Sequence, residues 1–321
     1  MKKVLITGAN GFIGSFLVEK ALELGWEVWA GVRKSSNCQY LKDPRIKFID
    51  LPFADEARLS EDIKKHISEY GKWDYIVHNL GITKCMNKSD FERVNYGFTK
   101  NFIEALQETA AIPDKFILMS SLSAVVPEKE QTLYGESKLK AEQLLRDQTA
   151  IPYIILRPTG VYGPREKDYY LVMKAVKSGL DVAAGMEVQQ LTFIYVKDLV
   201  DLVYTALSSG IKNNTYAVAE GKVYTDEEYT QLTKQALGKK KVIKLRIPLP
   251  LVKAASIVTE DVCRIFKKTS TLNRDKYKIM ARRDWSCDIS DIERDFNFKA
   301  KYDLPSGLRE TVEWYRKNGW I

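Results

Sequence analysis

Three glycines near the start of the chain constrain its fold more than any other feature. The apolar run Val4–Thr7 is followed by Gly8, Gly11 and Gly14, and then by apolar residues at helical spacing up to Leu24. This order predicts a strand, a tight turn and a helix whose N-terminus faces the turn. Backbone N–H groups at such a helix start, together with the helix dipole, bind a pyrophosphate. The pattern therefore predicts a dinucleotide-binding protein.

The spacing Gly-x-x-Gly-x-x-Gly gives each glycine a separate role. The first lets the backbone turn, the second removes a side chain where the pyrophosphate approaches, and the third lets the helix pack close to the strand. An ordinary strand-to-helix turn is the alternative. The N-terminal position, the flanking threonine and a second strand at the right distance favour the cofactor site. The residues predicted to bind the cofactor here are Gly8, Asn10, Gly11, Phe12, Ile13 and Gly14.

Strand-like and helix-like patterns alternate through the first half of the chain. The predicted strands are Val4–Thr7, Glu27–Val32, Ile46–Asp50, Asp74–His78, Lys115–Ser121 and Tyr153–Arg157. The predicted helices are Phe12–Leu24, Glu56–Tyr70, Asp90–Ala110 and Tyr134–Gln148. Repeated alternation with such apolar strands predicts an α/β fold, a Rossmann-type doubly wound parallel sheet covered by helices on both faces.

The pattern loosens after Pro164. Short helices and strands then mix with turn signals, although the apolar run Gln190–Asp198 is expected to return to the main sheet. We therefore expect two interleaved domains, with the substrate in a cleft between them. They are an NAD(P)-binding Rossmann domain, 1–164 with about 183–211, and a smaller α/β substrate-binding domain, about 165–182 with 212–321.

Composition argues against several other functions. The net charge is +8, but basic and acidic residues alternate along most of the chain, with Lys239–Lys241 and 264–268 as modest exceptions. This predicts a solvated surface and no nucleic-acid partner. Four scattered cysteines and two histidines predict no metal site and free thiols in a reducing compartment. Because no apolar stretch approaches the roughly 20 residues that span a bilayer, we expect a cytoplasmic protein without a membrane partner.

The second predicted strand bears on the choice between NAD and NADP. An NAD site usually places an acidic residue at the end of this strand, where it binds the ribose 2′-hydroxyl. Here Arg33 and Lys34 follow the strand directly, and a guanidinium can pair with a 2′-phosphate. We therefore expect NADP(H) to be preferred, with NAD(H) possible; two solvated loop cations are the alternative. Asp50, with Leu51, is a candidate for the adenine edge, unless Asp50 only forms a turn.

A serine, a tyrosine and a lysine form a possible catalytic set. Tyr134 and Lys138 stand four residues apart in a predicted helix, which places them on one face. Thirteen residues before the tyrosine, a predicted strand ends in Ser120 and Ser121. Parallel sheets bind ligands at the carboxyl ends of their strands. Serine hydroxyls there would reach both a substrate carbonyl and the tyrosine.

Seven motifs, in order, make the chain resemble the extended short-chain dehydrogenase/reductases, which include the NAD(P)-dependent sugar epimerases and dehydratases. They extend from residue 4 to about residue 200, and the closing 314–315 and 319–320 also match the C-terminal end of that superfamily. The matching residues are Thr7–Gly14, Ile76–Gly81, Val94–Gly97, Ser120–Ser121, Tyr134 with Lys138, Arg157–Pro164 and Phe193–Asp198.

The resemblance implies a role for each catalytic residue. Tyr134 would exchange a proton with the substrate oxygen, and Ser121 would donate a hydrogen bond to that oxygen, with Ser120 and Ser123 as alternatives. Lys138 would hold the nicotinamide ribose. Its ammonium, with the positive nicotinamide, would lower the pKa of Tyr134.

Further positions follow from the same resemblance. Asn95 matches an asparagine that helps to order a water and the lysine; a buried side-chain cap is the alternative. Leu80 and Gly81 would line the adenosine side of the cofactor site. The residues expected against the nicotinamide are Pro158, Thr159 and Val161.

The predicted function is that of an NAD(P)-dependent oxidoreductase, an enzyme that transfers a hydride at a carbonyl or alcohol carbon with Tyr134 as acid or base. The acidic pair of sugar-nucleotide 4,6-dehydratases is missing after Ser121, which disfavours dehydration. A nucleotide-sugar epimerase with retained NAD and a non-catalytic NADP(H)-sensing protein are the alternatives. The partner expected is a small-molecule substrate, either a carbonyl or alcohol compound or a nucleotide sugar. A homodimer is left open, because the apolar stripes on the predicted helices Asp90–Ala110 and Tyr134–Gln148 fit either a dimer contact or packing against the sheet.

Overall fold

The computed structural model describes residues 1–321 except 148, 149, 267, 269 and 271. It contains thirteen strands within the described residues. They are β1 (Lys3–Thr7), β2 (Glu27–Gly31), β3 (Lys47–Ile49), β4 (Tyr75–His78), β5 (Lys115–Met119), β6 (Tyr153–Pro158), β7 (Gly160–Tyr162), β8 (Leu180–Ala184), β9 (Gln190–Tyr195), β10 (Asn214–Val218), β11 (Val223–Thr225), β12 (Ile243–Ile247) and β13 (Asp284–Trp285).

Twelve α-helices connect and flank these strands in the same described part of the chain. They are α1 (Phe12–Glu23), α2 (Glu56–Tyr70), α3 (Ser89–Phe91), α4 (Phe98–Glu108), α5 (Leu133–Asp147), α6 (Asp168–Lys177), α7 (Val196–Ser208), α8 (Asp226–Leu237), α9 (Leu249–Ile265), α10 (Arg274–Ala281), α11 (Ser290–Phe296) and α12 (Leu304–Lys317). None of the described helices is both long and apolar enough to cross a membrane.

The main sheet has seven strands in the order β10-β6-β5-β4-β1-β2-β3. The pairs from β6 to β3 are all parallel. The central strands are fully buried, as helices on both faces require. The prediction of a Rossmann-type α/β fold is therefore confirmed.

The helix predicted over Asp90–Ala110 is present as one continuous run over 89–108, but it is not α-helical throughout. The structure has the short helix α3, then a π-helical turn over Glu92–Gly97, then α4. The π-helical turn inserts an extra residue into the helical repeat, a feature that is frequent at functional sites. The helix predicted over Tyr134–Gln148 corresponds to α5, and its predicted last residue lies outside the described residues.

The expectation that Gln190–Asp198 returns to the main sheet is wrong. Its first six residues form β9, which pairs with β7, β11 and β13 in a second sheet, and its last three begin α7. The seventh strand of the main sheet is instead β10. An apolar run predicts a buried strand but does not specify which strand it pairs with. A third sheet consists of β8 and β12.

The chain divides into two compact units that are interleaved in sequence. The first unit comprises Met1–Val125, Leu133–Arg157 and Val200–Tyr216, and the second unit comprises Val126–Thr132, Pro158–Leu199 and Ala217–Ile321. The segment 183–211, predicted to belong to the first domain, is thus shared between the units. The assignment of cofactor binding to one domain and substrate binding to the other stays a prediction.

Candidate active site

The glycine turn between β1 and α1 leaves no room for side chains. Gly8 has a φ of +65°, and a Cβ there would lie 2.9 Å from the carbonyl oxygen of Asn79. A Cβ on Gly14 would overlap the carbonyl oxygen of Gly8 and lie 2.8 Å from Ala9 Cα. Because both obstacles are backbone atoms, small side-chain movements cannot relieve them. Gly8 and Gly14 therefore hold β1, α1 and the exit of β4 in close contact.

The start of α1 is suited to an anion. Gly11 is the N-cap residue with extended backbone angles and no side chain to cap the helix, and its N–H donates to Gly8 O at 3.1 Å. The first turn, from Phe12 onward, contains no acidic residue. Free N–H groups and a positive dipole end at a glycine-lined turn fit a pyrophosphate. The residues of this turn therefore fit a dinucleotide cofactor.

The residues predicted to select the cofactor lie on the loop after β2. Arg33 and Lys34 are exposed, and the backbone N–H of Lys34 donates to Asp50 Oδ2 at 2.9 Å. Asp50 therefore holds this loop with one carboxylate oxygen, and Leu51 packs in the hydrophobic core. Asn10 Nδ2 donates to the backbone oxygen of Asn37 in the same loop after β2, at 3.5 Å.

Ser121 and Tyr134 are brought together at the carboxyl end of β5. A hydrogen bond with Ser121 opposes the rise in the pKa of Tyr134 that burial causes. The two neighbouring serines are engaged differently. Ser120 Oγ donates to the buried carboxylate of Glu142 at 2.5 Å, and the backbone N–H of Ser123 donates to Ser121 Oγ at 3.1 Å. Of the three serines considered, Ser121 is therefore the one directed at the tyrosine.

Lys138 lies buried one helical turn after the tyrosine. Its Nζ donates to the carbonyl oxygen of Met119 at 2.9 Å, at the end of β5. Burial lowers the pKa of Lys138 to about 8, although the nearby Glu142 raises it in part. The sequence-based expectation was a lowered pKa for Tyr134. That expectation includes the positive charge of a bound nicotinamide, so it stays a prediction. From the protein groups alone, burial raises the pKa of Tyr134 more than the hydrogen bond with Ser121 lowers it.

Asn95 lies in the π-helical turn and is almost fully buried. Its Oδ1 accepts from Ile82 N at 2.8 Å, and its Nδ2 donates to Ile82 O at 3.1 Å and to Ser137 Oγ at 3.0 Å. Ser137 in turn donates to Tyr134 O at 2.7 Å. Asn95 therefore ties the loop after β4 to the start of α5, which carries the tyrosine.

A hydrogen-bonded chain behind the site was not predicted from the sequence. Thr7 Oγ1 contacts His78 Nδ1 at 3.0 Å, His78 Nε2 contacts Thr99 Oγ1 at 3.1 Å, and Thr99 donates to Asn95 O at 2.8 Å. Thr7 Oγ1 also accepts from Leu80 N at 3.1 Å. Burial lowers the pKa of His78 to about 3, so the imidazole is neutral. The only sequence signal was that these polar residues occur inside apolar patterns.

The residues predicted to contact the nicotinamide belong to the second unit. Pro158 is the last residue of β6, and Thr159 Oγ1 contacts Thr192 O at 2.8 Å and Thr192 Oγ1 at 2.9 Å. Val161 is the central residue of β7 and pairs with Ile194 of β9. The turn that follows β6 is therefore fixed to β9 by both side-chain and strand contacts.

Comparisons with known proteins show similarity over almost the whole chain. The chain is 24% identical to ceramide reductase of Caulobacter vibrioides, over 99% of this chain and 96% of that protein. Among solved structures, UDP-glucose 4-epimerase from Thermotoga maritima with UDP-glucose superimposes with a TM-score of 0.77 at 21% identity, covering 98% of this chain and 99% of that one. dTDP-glucose 4,6-dehydratase from Bacillus anthracis, in complex with NAD, gives 0.75 at 19% identity, with coverages of 99% and 97%.

The two structural likenesses show the fold, and the dehydratase contains NAD. A family model described as the NAD dependent epimerase/dehydratase family matches residues 4–219. That match covers the whole glycine turn, the Ser121, Tyr134 and Lys138 set, and the π-helical turn. The chain therefore belongs to the NAD dependent epimerase/dehydratase family, whose members are enzymes.

Proposed function

We propose that this enzyme is an NADP(H)-preferring oxidoreductase that transfers a hydride to or from a carbonyl or alcohol carbon. The observation that carries the proposal is the hydrogen bond between Ser121 and Tyr134, with Lys138 buried one turn away. A reductase is also among the relatives that align over nearly the whole chain.

Each residue of the set has a distinct role in the proposed reaction. A nicotinamide cofactor, when bound, would supply or accept the hydride. In the reductive direction, the Tyr134 hydroxyl donates its proton to the substrate oxygen, and Ser121 Oγ donates a hydrogen bond to the same oxygen. Lys138 carries a positive charge below its pKa of about 8, which favours the phenolate that Tyr134 becomes. Asn95 positions the tyrosine at the start of α5 through the hydrogen bonds that link Asn95 to Ser137 and Ser137 to Tyr134 O.

Replacing Tyr134 tests the catalytic part of the proposal. Tyr134→Phe removes the proton donor but keeps the ring, so NADPH should bind as before while turnover is lost. The measurement is NADPH absorbance in a screen that includes ceramide-type ketones and other carbonyl compounds, with NADPH binding followed by calorimetry. Activity that survives the substitution would overturn the assigned role. Tightly bound NAD that co-purifies, with epimerisation of a UDP-sugar, would favour the epimerase instead.

The preference for NADP is tested at Arg33. The exposed guanidinium lies two residues after the end of β2, a position suited to a 2′-phosphate ligand. Arg33→Ala should weaken NADPH binding about tenfold or more, consistent with the loss of a charge-assisted pair, and leave NADH binding unchanged. Arg45→Ala is the matched control, because Arg45 is exposed and paired with Asp43 at 2.7 Å. Equal or tighter binding of NADH by the unmodified protein would overturn the preference.

A further inference from the structure

One segment of the second unit has a larger positive net charge than the complete chain. Residues 239–283 contain 14 lysines and arginines against 3 aspartates and glutamates, a net charge of +11, whereas the chain as a whole carries +8. The rest of the chain is therefore acidic on balance. Such concentrated charge attracts an anionic partner.

The same segment exposes an apolar stripe along α9. Of the described residues of this helix, only Val252 and Ser256 are buried. Apolar side chains spaced three and four residues apart follow one face of the helix, which differs from the buried face. They are 45% to 75% exposed: Leu251, Val258, Val262, Ile265 and, directly after the helix, Phe266. These five side chains are therefore not part of the hydrophobic core.

The two-stranded sheet that leads into α9 is apolar on one face as well. The register pairs Leu180 with Ile243 and Val182 with Leu245, so the four side chains share a face, and all four are exposed. Asp181, on the other face, is buried and accepts from Thr230 at 3.0 Å. The chain passes from this sheet to α9 through one proline.

Several positive charges of the segment 239–283 are not paired within the described part of the molecule. Five exposed lysines take part in no ion pair among the described residues: Lys239, Lys240, Lys241, Lys253 and Lys268. The acidic residues of α9 are paired within the molecule, because Glu260 and Asp261 each contact Arg274 of α10 at 3.1 Å. Arg264, which also contacts Asp261, is exposed.

We propose that α9 docks on an anionic membrane surface, with its apolar stripe in the boundary between headgroups and acyl chains and the exposed lysines before, within and after the helix on the headgroups. Exposed apolar side chains combined with basic residues of the same segment bind anionic membranes in this way. A second copy of the chain fits the same surface poorly, since two segments of net charge +11 would meet. The proposal is independent of the proposed reaction, and it departs from the sequence-based expectation of no membrane partner.

Vesicle sedimentation tests the proposal on the full-length protein. We expect binding to vesicles of phosphatidylcholine with phosphatidylglycerol, weak binding to phosphatidylcholine alone, and weakening by salt. The double variant Val258→Glu, Ile265→Glu should bind at least tenfold more weakly, whereas the control Phe48→Glu, half-exposed on β3 of the first unit, should bind normally. Lys253→Gln and Lys268→Gln should each cost about fivefold.

Three results would overturn the proposal. The first is no binding to the anionic vesicles. The second is binding that the double variant does not weaken, which would mean adsorption by charge alone. The third is a dimer in light scattering that the double variant dissociates, which would assign the stripe to a second copy. Circular dichroism of each variant, together with calorimetry of NADPH, shows that the fold and the first unit are intact.

Discussion

Replacing Glu142 tests whether one buried carboxylate stabilises the carboxyl ends of β5 and β6, next to the serine that we propose acts in catalysis. Its side chain has no exposed surface and lies on α5. It accepts hydrogen bonds from Ser120 Oγ at 2.5 Å, from Arg146 Nη2 at 2.6 Å and from Arg157 Nη2 at 2.5 Å. Glu142→Gln preserves the volume and an acceptor oxygen but removes the charge. Two guanidiniums then lose their counter-charge.

The expected decrease in the free energy of unfolding depends on how well the two guanidinium groups are hydrated once their counter-charge is removed. Breaking a fully buried ion pair costs about 3–5 kcal/mol, because the remaining charge stays desolvated. The side chains of Arg157 and Arg146 are 19% and 33% exposed, so both recover part of their hydration. We therefore expect the free energy of unfolding to fall by about 3 kcal/mol, at the lower end of that range. The pKa of Lys138 should fall further below about 8, since Glu142 now raises it.

The assay is urea unfolding followed by circular dichroism, with a matched substitution on the same helix. Glu136→Gln removes an exposed carboxylate that pairs with Lys140 at 3.2 Å. Exposed pairs of this kind contribute about 0.3–0.5 kcal/mol, so this control should unfold almost like the unmodified protein. Equal losses in the two variants, or a loss below about 1 kcal/mol for Glu142→Gln, would refute the reasoning from burial.

Two further predictions need no substrate. Gly14→Ala places a Cβ against backbone of the glycine turn, so it should cost about 1–3 kcal/mol of stability and weaken NADPH binding at least tenfold. Gly210→Ala, where a Cβ meets open space, should do neither. Burial lowers the pKa of His66 to about 4 and that of His78 to about 3, against 6.5 when unfolded. The unfolded chain therefore takes up protons first, and the urea midpoint should fall as the pH falls from 6.5 to 4; a flat midpoint would contradict this.

Sequence patterns predicted the helices whose ends are set by residues next to them in the chain. The helix predicted over Glu56–Tyr70 has these bounds in the structure, because Asp55 accepts from Arg58 N at the start and Gly71, with a φ of +78°, ends it. The π-helical turn at Asn95 was not predicted, because one extra residue shifts the apolar pattern by a single position, a change too small to distinguish from the irregularity of an ordinary amphipathic helix. The pairing of β9 and the chain through His78 depend on residues far apart in sequence. Patterns within one segment do not report those contacts.

Gly81 shows how the site depends on a missing side chain. The resemblance to the short-chain enzymes assigned it to the adenosine side of the cofactor. In the structure a Cβ there would lie 3.0 Å from both Asn95 Oδ1 and Lys138 Nζ. Asn95 cannot yield without losing its hydrogen bonds to Ile82, so Lys138 would have to move away from Met119 O. The glycine after β4 is therefore required by the packing of the lysine and the asparagine, a constraint that appears only when both are placed in space.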